Sequence, residues 1–98
     1  MSNNSILGNE HFLSSIRDTK VNKLTIGLYW ILVEAEQGTG LVATPQNQIS
    51  SKLAKKYEKK YETISLYELA LLVKSENLIE RAIGCAAINA NTNHYKLN

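Results

Sequence analysis

The stretch from Asn77 to Asn91 constrains this chain more than any other. Leu78, Ala82, Ala86 and Ala90 recur every four residues, and Ile79, Ile83 and Ala87 make the neighbouring ridge, which is the spacing of a helix with a packed face. The centre of that helix, Gly84-Cys85-Ala86-Ala87, is almost bare of side chain. A glycine inside a helix sacrifices about 1 kcal/mol relative to alanine. The compensation is close approach of another main chain, either a strand or the preceding helix. The chain therefore folds around a thin rod, and the remaining elements must supply the backbone that lies on it.

Immediately upstream, Ser65-Leu66-Tyr67-Glu68 has the capping-box spacing, in which Ser65 accepts the Glu68 amide and Glu68 reaches back to the Ser65 amide. Leu66, Leu69, Ala70 and Val73 then form an apolar stripe that ends near Lys74. Asn77 is placed to cap the following helix, and Glu80, three residues on, is placed to complete a second box.

The pattern differs between Lys23 and Glu36. Leu24, Ile26, Leu28, Trp30 and Leu32 alternate with Thr25, Gly27, Tyr29, Ile31 and Val33, a period of two rich in β-branched and aromatic residues. This predicts a strand, with its doubly apolar second half central in a sheet and covered on both faces. Gln37-Gly38-Thr39-Gly40 reads as a turn, and Leu41-Val42-Ala43-Thr44 as the returning strand, stopped by Pro45. Before the sheet, Ile6, Leu13 and Ile16, with Phe12 beside them, predict a short helix within 5–18. The expected class is α+β: a small antiparallel sheet, either a hairpin or a three-stranded meander, packed against C-terminal helices.

Between the hairpin and the capping box, Ile49, Leu53, Tyr57 and Tyr61 recur every four residues and predict an amphipathic helix within 46–64. Its outer face bears Lys52, Lys55, Lys56, Lys59 and Lys60. Such a face can hold phosphate; its commoner fate is solvation, here helped by Glu58 and Glu62 interleaved among the lysines.

With 98 residues, 44% of them hydrophobic, the chain can form one domain around one core. Eleven basic against nine acidic residues leave a charge of +2, too mild to point to nucleic acid or an anionic membrane. The single cysteine, Cys85, excludes an internal disulfide and fits a reducing compartment. No basic-then-apolar leader opens the chain, and no apolar run approaches the length of a membrane span, so the expected location is cytoplasmic.

The run Ser75-Glu76-Asn77-Leu78-Ile79-Glu80-Arg81-Ala82-Ile83-Gly84-Cys85-Ala86-Ala87-Ile88-Asn89-Ala90 resembles a motif of the form S-x-N-x-x-E-x-x-x-G-x-A-A-x-N-A. That motif closes the N-terminal domain of the "putative heavy-metal chelation" family, a prokaryotic group of unknown function. Ile26–Trp30, Gly40–Thr44 and Leu66–Val73 resemble the family's first two strands and its leucine-rich helix, in the same order. The resemblance implies a fold similar to the N-terminal domain of enolase. It also implies a Rossmann-like C-terminal domain with a ligand or metal site in the cleft between the two. The resemblance implies that residues 1–98 correspond to a single such domain without the second one, either as a stand-alone version, with the partner domain on another polypeptide, or as a fragment. The lysine-rich segment 52–60 looks like an insertion relative to the family pattern.

By that resemblance Ser75, Asn77, Glu80 and Asn89 are the candidate ligand-binding residues, a transition metal is the candidate cofactor, and a Rossmann-like partner or a second copy is the candidate partner. The residues by themselves are better explained as a helix cap (Ser75, Asn77, Glu80) and a tether to a neighbouring loop (Asn89) than as ligand contacts. Cys85 reads as a small core residue, since no second cysteine or histidine stands at ligand spacing. His11 and His94 lie at opposite ends of the sequence, and Tyr29, Trp30 and Tyr67 read as core or edge aromatics. No phosphate loop or triad signature is present. The leading expectation is a non-catalytic binding or capping domain. Its alternative is an enzyme subunit whose site forms at an oligomer interface from Glu80, Asn77 and the lysine face. A weak nucleic-acid binder acting through Lys52–Lys60 ranks last.

Overall fold

The computed structural model describes residues 16–45 and 49–92. Three strands, β1 (Val21–Ile26), β2 (Trp30–Ala35) and β3 (Thr39–Ala43), form an antiparallel meander in the order β1-β2-β3. Helix α1 (Ser51–Lys60) follows, then the short α2 (Leu66–Ala70), extended by a 3-10 turn over Leu71–Lys74, and the long α3 (Leu78–Thr92). The fold is α+β, with the sheet packed against the C-terminal helices. The helix expected over 5–18 lies almost entirely outside the described residues, as do His11 and His94; residues 16–18 are not helical.

The single strand expected from Lys23 to Glu36 is in fact a hairpin. Gly27-Leu28-Tyr29 turns the chain, with the Gly27 amide donating to the Trp30 carbonyl at 2.8 Å. The turn shifts the phase of the alternation. Leu24 pairs with Val33 and Ile26 with Ile31, so Ile31 and Val33 point inward with Leu24 and Ile26. Trp30 and Leu32 consequently face outward, where an unbroken strand would have placed them inside. The run from 28 to 33 is apolar at every position, so its pattern carried no phase information. The second turn is also tighter than expected: Ala35 and Gly38 exchange backbone hydrogen bonds of 2.9 and 3.3 Å, and Thr39 and Gly40 belong to β3.

β2 is central, as anticipated, but only its inner face is covered. Ile31 and Val33 are fully buried against α3, while Trp30 is 56% and Leu41 is 48% exposed. Half-buried Leu32 lies between them, paired with Leu41 across the ladder.

α1 is held by Ser50, whose hydroxyl accepts the Leu53 amide. It lays Ala54, Tyr57 and Tyr61 toward the core. The Ser65–Glu68 capping box forms as expected, with both reciprocal bonds present. Leu66, Leu69 and Ala70 are fully buried.

The bare centre of α3 is used on two sides. A methyl group on Gly84 would run into the backbone of Leu72 and Val73 in the 3-10 turn. On the opposite side of the helix, a methyl on Gly40 of β3 would run into the Ala86 carbonyl and the Ala90 amide. Ala86, Ala87 and Ala90 are fully buried. Both candidate neighbours, strand and preceding turn, thus lie on the rod at main-chain distance.

The sheet's two edges are closed by helix side chains. On β1 the outward amide of Ile26 donates to the Glu58 carboxylate of α1 at 2.7 Å. On β3 the Leu41 carbonyl accepts from the Asn89 side-chain amide of α3 at 3.4 Å. A bulge between Val21 and Lys23 and an isolated bridge from Lys20 to Ser65 further occupy the β1 edge. These are the devices that keep exposed strands from pairing with other chains.

Candidate functional site

The N-terminus of α3 gathers three of the four motif residues. The Asn77 side-chain oxygen accepts the amides of Ile79 at 2.9 Å and Glu80 at 3.0 Å, so it caps the helix as its sequence position suggested. Glu80 does not complete a second capping box. The Asn77 amide donates to the Ser75 hydroxyl at 3.0 Å, and the Glu80 carboxylate turns toward stronger donors. It accepts from the Tyr61 hydroxyl at 2.7 Å and from the Ser75 hydroxyl at 2.7 Å, one to each oxygen. Lys60 stands 3.8 Å away.

The surrounding groups extend this network between α1 and α3. The Asn77 side-chain nitrogen donates to the Tyr57 hydroxyl at 3.1 Å, and the Arg81 guanidinium donates to the Ser75 carbonyl at 3.0 Å. The rings of Tyr57 and Tyr61 stack 6.3 Å apart, one turn from each other on α1. Sequence reasoning counted these tyrosines only as apolar ridge positions. Their spacing was visible; what it left out is that a buried tyrosine hydroxyl needs a partner, which the α3 cap supplies here.

Electrostatics follow from these contacts. The Tyr61 hydroxyl bond holds the Glu80 carboxyl below the usual carboxylate range, with help from Ser75 and Lys60 and against the effect of its burial. Burial, and then the Glu80 carboxylate, push the Tyr61 hydroxyl far above the usual tyrosine range. Glu80 is therefore a fixed anion at neutral pH, poorly matched to proton transfer, for which a group should titrate near the working pH.

Asn89 is not brought to this cluster. It lies twelve positions along α3, roughly 18 Å away along the axis, and its contact is the edge of β3, where a loop was expected. Burial raises the Cys85 thiol above its ordinary range, only partly offset by Arg81. It behaves as the small packing residue its sequence context implied.

A metal ion does not fit the α3 N-terminus on this chain's residues alone. The one carboxylate has both oxygens taken by hydroxyl donors, and two cations, Lys60 and Arg81, stand beside the network. Among the described residues, no three of His, Cys, Asp and Glu converge as a metal centre would require. No described helix is long and apolar enough to cross a membrane. A cleft of about 210 Å³ separates the β1–β2 turn from α1, lined by Gly27, Leu28, Ala54, Lys55 and Glu58 among others.

Comparison with known proteins agrees with this architecture. The chain is similar to a crystal structure of a protein with unknown function from the DUF364 family of Desulfitobacterium hafniense DCB-2, with a TM-score of 0.73 and 24% identity. The match covers 85% of this chain and 33% of that one, so the chain spans about a third of the length of its structural relative. At that identity the likeness establishes the fold. No curated protein matches the chain. The sequence profile of the "putative heavy-metal chelation" family matches residues 9–91. That span contains every described element but the last residue of α3, and the chain belongs to this family.

Proposed function

We propose that this chain is a non-catalytic binding or capping domain that forms one wall of a small-ligand or metal-chelation site. The other wall is a Rossmann-like partner domain or a second copy. The observation that carries the reading is the open side of the sheet, where Trp30 and Leu41 flank Leu32 and continue into Leu28 and Tyr29 at the turn. Contiguous apolar residues of this size on a small domain mark a contact surface. The match takes up 33% of the structural relative, which carries further chain beyond the matched part.

In this reading the domain shares the enolase N-terminal arrangement, and Ser75, Asn77 and Glu80 sit on the rim of the shared cleft, with Asn89 a second contact. Metal-ligating groups come from the partner, because Glu80 is already saturated by Tyr61 and Ser75. The alternative of an enzyme assembled at an oligomer interface is disfavoured by the same saturation.

Gel filtration with light scattering, combined with elemental analysis of the purified protein, tests the proposal. A concentration-dependent dimer that Trp30→Ser and Leu41→Ser both weaken supports it, as does stoichiometric metal recovered only in the associated form. A monomer at every concentration, metal-free and unaffected by either substitution, overturns it.

A further inference from the structure

The lysine face of α1 keeps its charge once the chain is folded. Lys52, Lys55, Lys56 and Lys59 are all exposed and fall at i, i+3, i+4 and i+7, along one side of the helix. That side is opposite Ala54 and Tyr61, which meet the core. Glu58 interleaves with these lysines in the sequence; in the fold its carboxylate accepts the Ile26 amide at 2.7 Å, and the residue lines the clefts that Lys55 also lines. Lys60 is the lysine engaged by Glu80, at 3.8 Å, and that is the one ion pair among the described residues. Glu62 stands beyond the helix end, in the cleft that Lys23 and Lys59 also line. Among the described residues, none of these four cations forms an ion pair, although Glu58 and Glu62 line the same cleft as Lys55 and Lys59.

Aromatic surface lies alongside. Leu28 and Lys55 line the same cleft, so the turn carrying Tyr29 and Trp30 borders the lysine row. Tyr29 is 74% exposed, and both aromatics are held on a short, doubly bonded turn: the Gly27 amide donates to Trp30, and the Thr44 amide donates to the Tyr29 carbonyl at 2.8 Å. Rigid exposed rings beside a cationic track are the two elements of sequence-tolerant single-strand recognition. Lysines follow the phosphates, and the rings stack on splayed bases.

We propose that α1 and the β1–β2 turn form a binding surface for single-stranded nucleic acid. A planar anionic membrane would use the same lysines but would not need stacking rings, and a duplex hides the faces on which Tyr29 and Trp30 would stack. This surface is separate from the rim at the α3 N-terminus but shares Leu28, Tyr29 and Trp30 with the open side of the sheet, so a strand and a protein partner compete for that turn.

Trp30 is the chain's only tryptophan, so its emission reports the turn directly. The experiment titrates the full chain with a fluorescein-labelled oligothymidylate and follows label anisotropy and tryptophan emission together. With four lysines on phosphates, log affinity should fall against log salt with a slope of about −2.8, or about 50-fold between roughly 50 and 200 mM. The double substitution Lys55→Gln and Lys59→Gln should cut that slope to about −1.4. Tyr29→Ala should weaken binding at least about 5-fold, the lower bound for one lost stacked base. Both variants alter exposed positions, and their circular dichroism should match that of the parent chain. Quenching of Trp30 together with the expected slopes supports the proposal. Any of four results overturns it: no anisotropy change at low salt, binding with undisturbed Trp30 emission, equal affinity for the matching duplex, or retention on phosphatidylserine vesicles without binding to the oligonucleotide.

Discussion

Alanine at position 84 would stabilise an isolated helix by about 1 kcal/mol relative to glycine. In this fold Gly84→Ala should do the reverse. The added methyl would lie 2.8 Å from the Leu72 carbonyl carbon and the Val73 Cα, and closer still to the Val73 amide nitrogen. Non-bonded carbons settle near 3.5–4.0 Å, so the two main chains must part by on the order of 1 Å. α3 has nowhere to retreat, because Ala86 and Ala90 rest on Gly40 of β3 on its far side. Overpacking of this kind costs about 1–3 kcal/mol, and the upper part of that range applies where backbone must move. Subtracting the propensity gain leaves a net loss of about 1–2 kcal/mol. For a domain of this size that lowers the melting temperature by roughly 4–16 °C. Thermal and urea denaturation followed by circular dichroism would measure it. Ala82→Gly, on the partly exposed side of the same helix, is the control and should lose about 1 kcal/mol from propensity alone. If Gly84→Ala melts at or above the parent temperature, the main-chain contact does not exist and the account of α3 fails.

Other outcomes follow from the same geometry. Gly40→Ala should destabilise through the Ala86 and Ala90 backbone, and the double variant with Gly84→Ala should depart from additivity, since both contacts press on α3 from opposite sides and a shift that relieves one tightens the other; strict additivity would refute the clamp. Tyr61→Phe, which strips one donor from a mostly buried Glu80, should cost about 1–2 kcal/mol in urea denaturation; a change near zero would mean that the α1–α3 network is ornamental. Because the folded Glu80 carboxyl lies below its ordinary value, its stabilisation is full above about pH 4.3 and is lost as the pH falls through the lowered value. Acid titration of Glu80→Gln should lack that limb, and an unchanged acid profile would contradict the assignment. Cys85 should react with a soluble maleimide much more slowly than a free thiol at neutral pH, because burial raises its thiol; labelling at the rate of free cysteine would refute this.

How much of this was legible beforehand depends on the kind of signal each segment carried. The helices announced themselves through spacing and caps. Ser65 with Glu68, Asn77 with the following amides, and the four-residue recurrence from Ile49 to Tyr61 are local patterns, and local hydrogen bonds decide them. The thin centre of α3 was likewise readable, because a central glycine has few other uses in a helix. The strands were harder. Gly27 alone marked the β1–β2 turn, and the uniformly apolar run after it fitted either phase, so both faces were expected to be covered, whereas Ile31 and Val33 are buried and Trp30 is exposed. The network around Glu80 joins residues 57–61 to 75–81, a pairing that depends on how α1 packs and that no spacing encodes. Glu58 illustrates the same point: neighbouring lysines suggested a surface charge partner, whereas the edge of β1, more than thirty residues earlier, claims it.

Glu58 and Asn89 together make the ribbon finite. One supplies an acceptor to the first strand's outward amide, the other a donor to the last strand's outward carbonyl, so each side has a ladder position already taken. Main-chain ladders accept nearly any sequence, whereas a sheet approached broadside is read through its side chains. A neighbour that meets the open side of the sheet must match the relief of Trp30, Leu32 and Leu41, while two residues that lie away from that face hinder indiscriminate pairing along the edges.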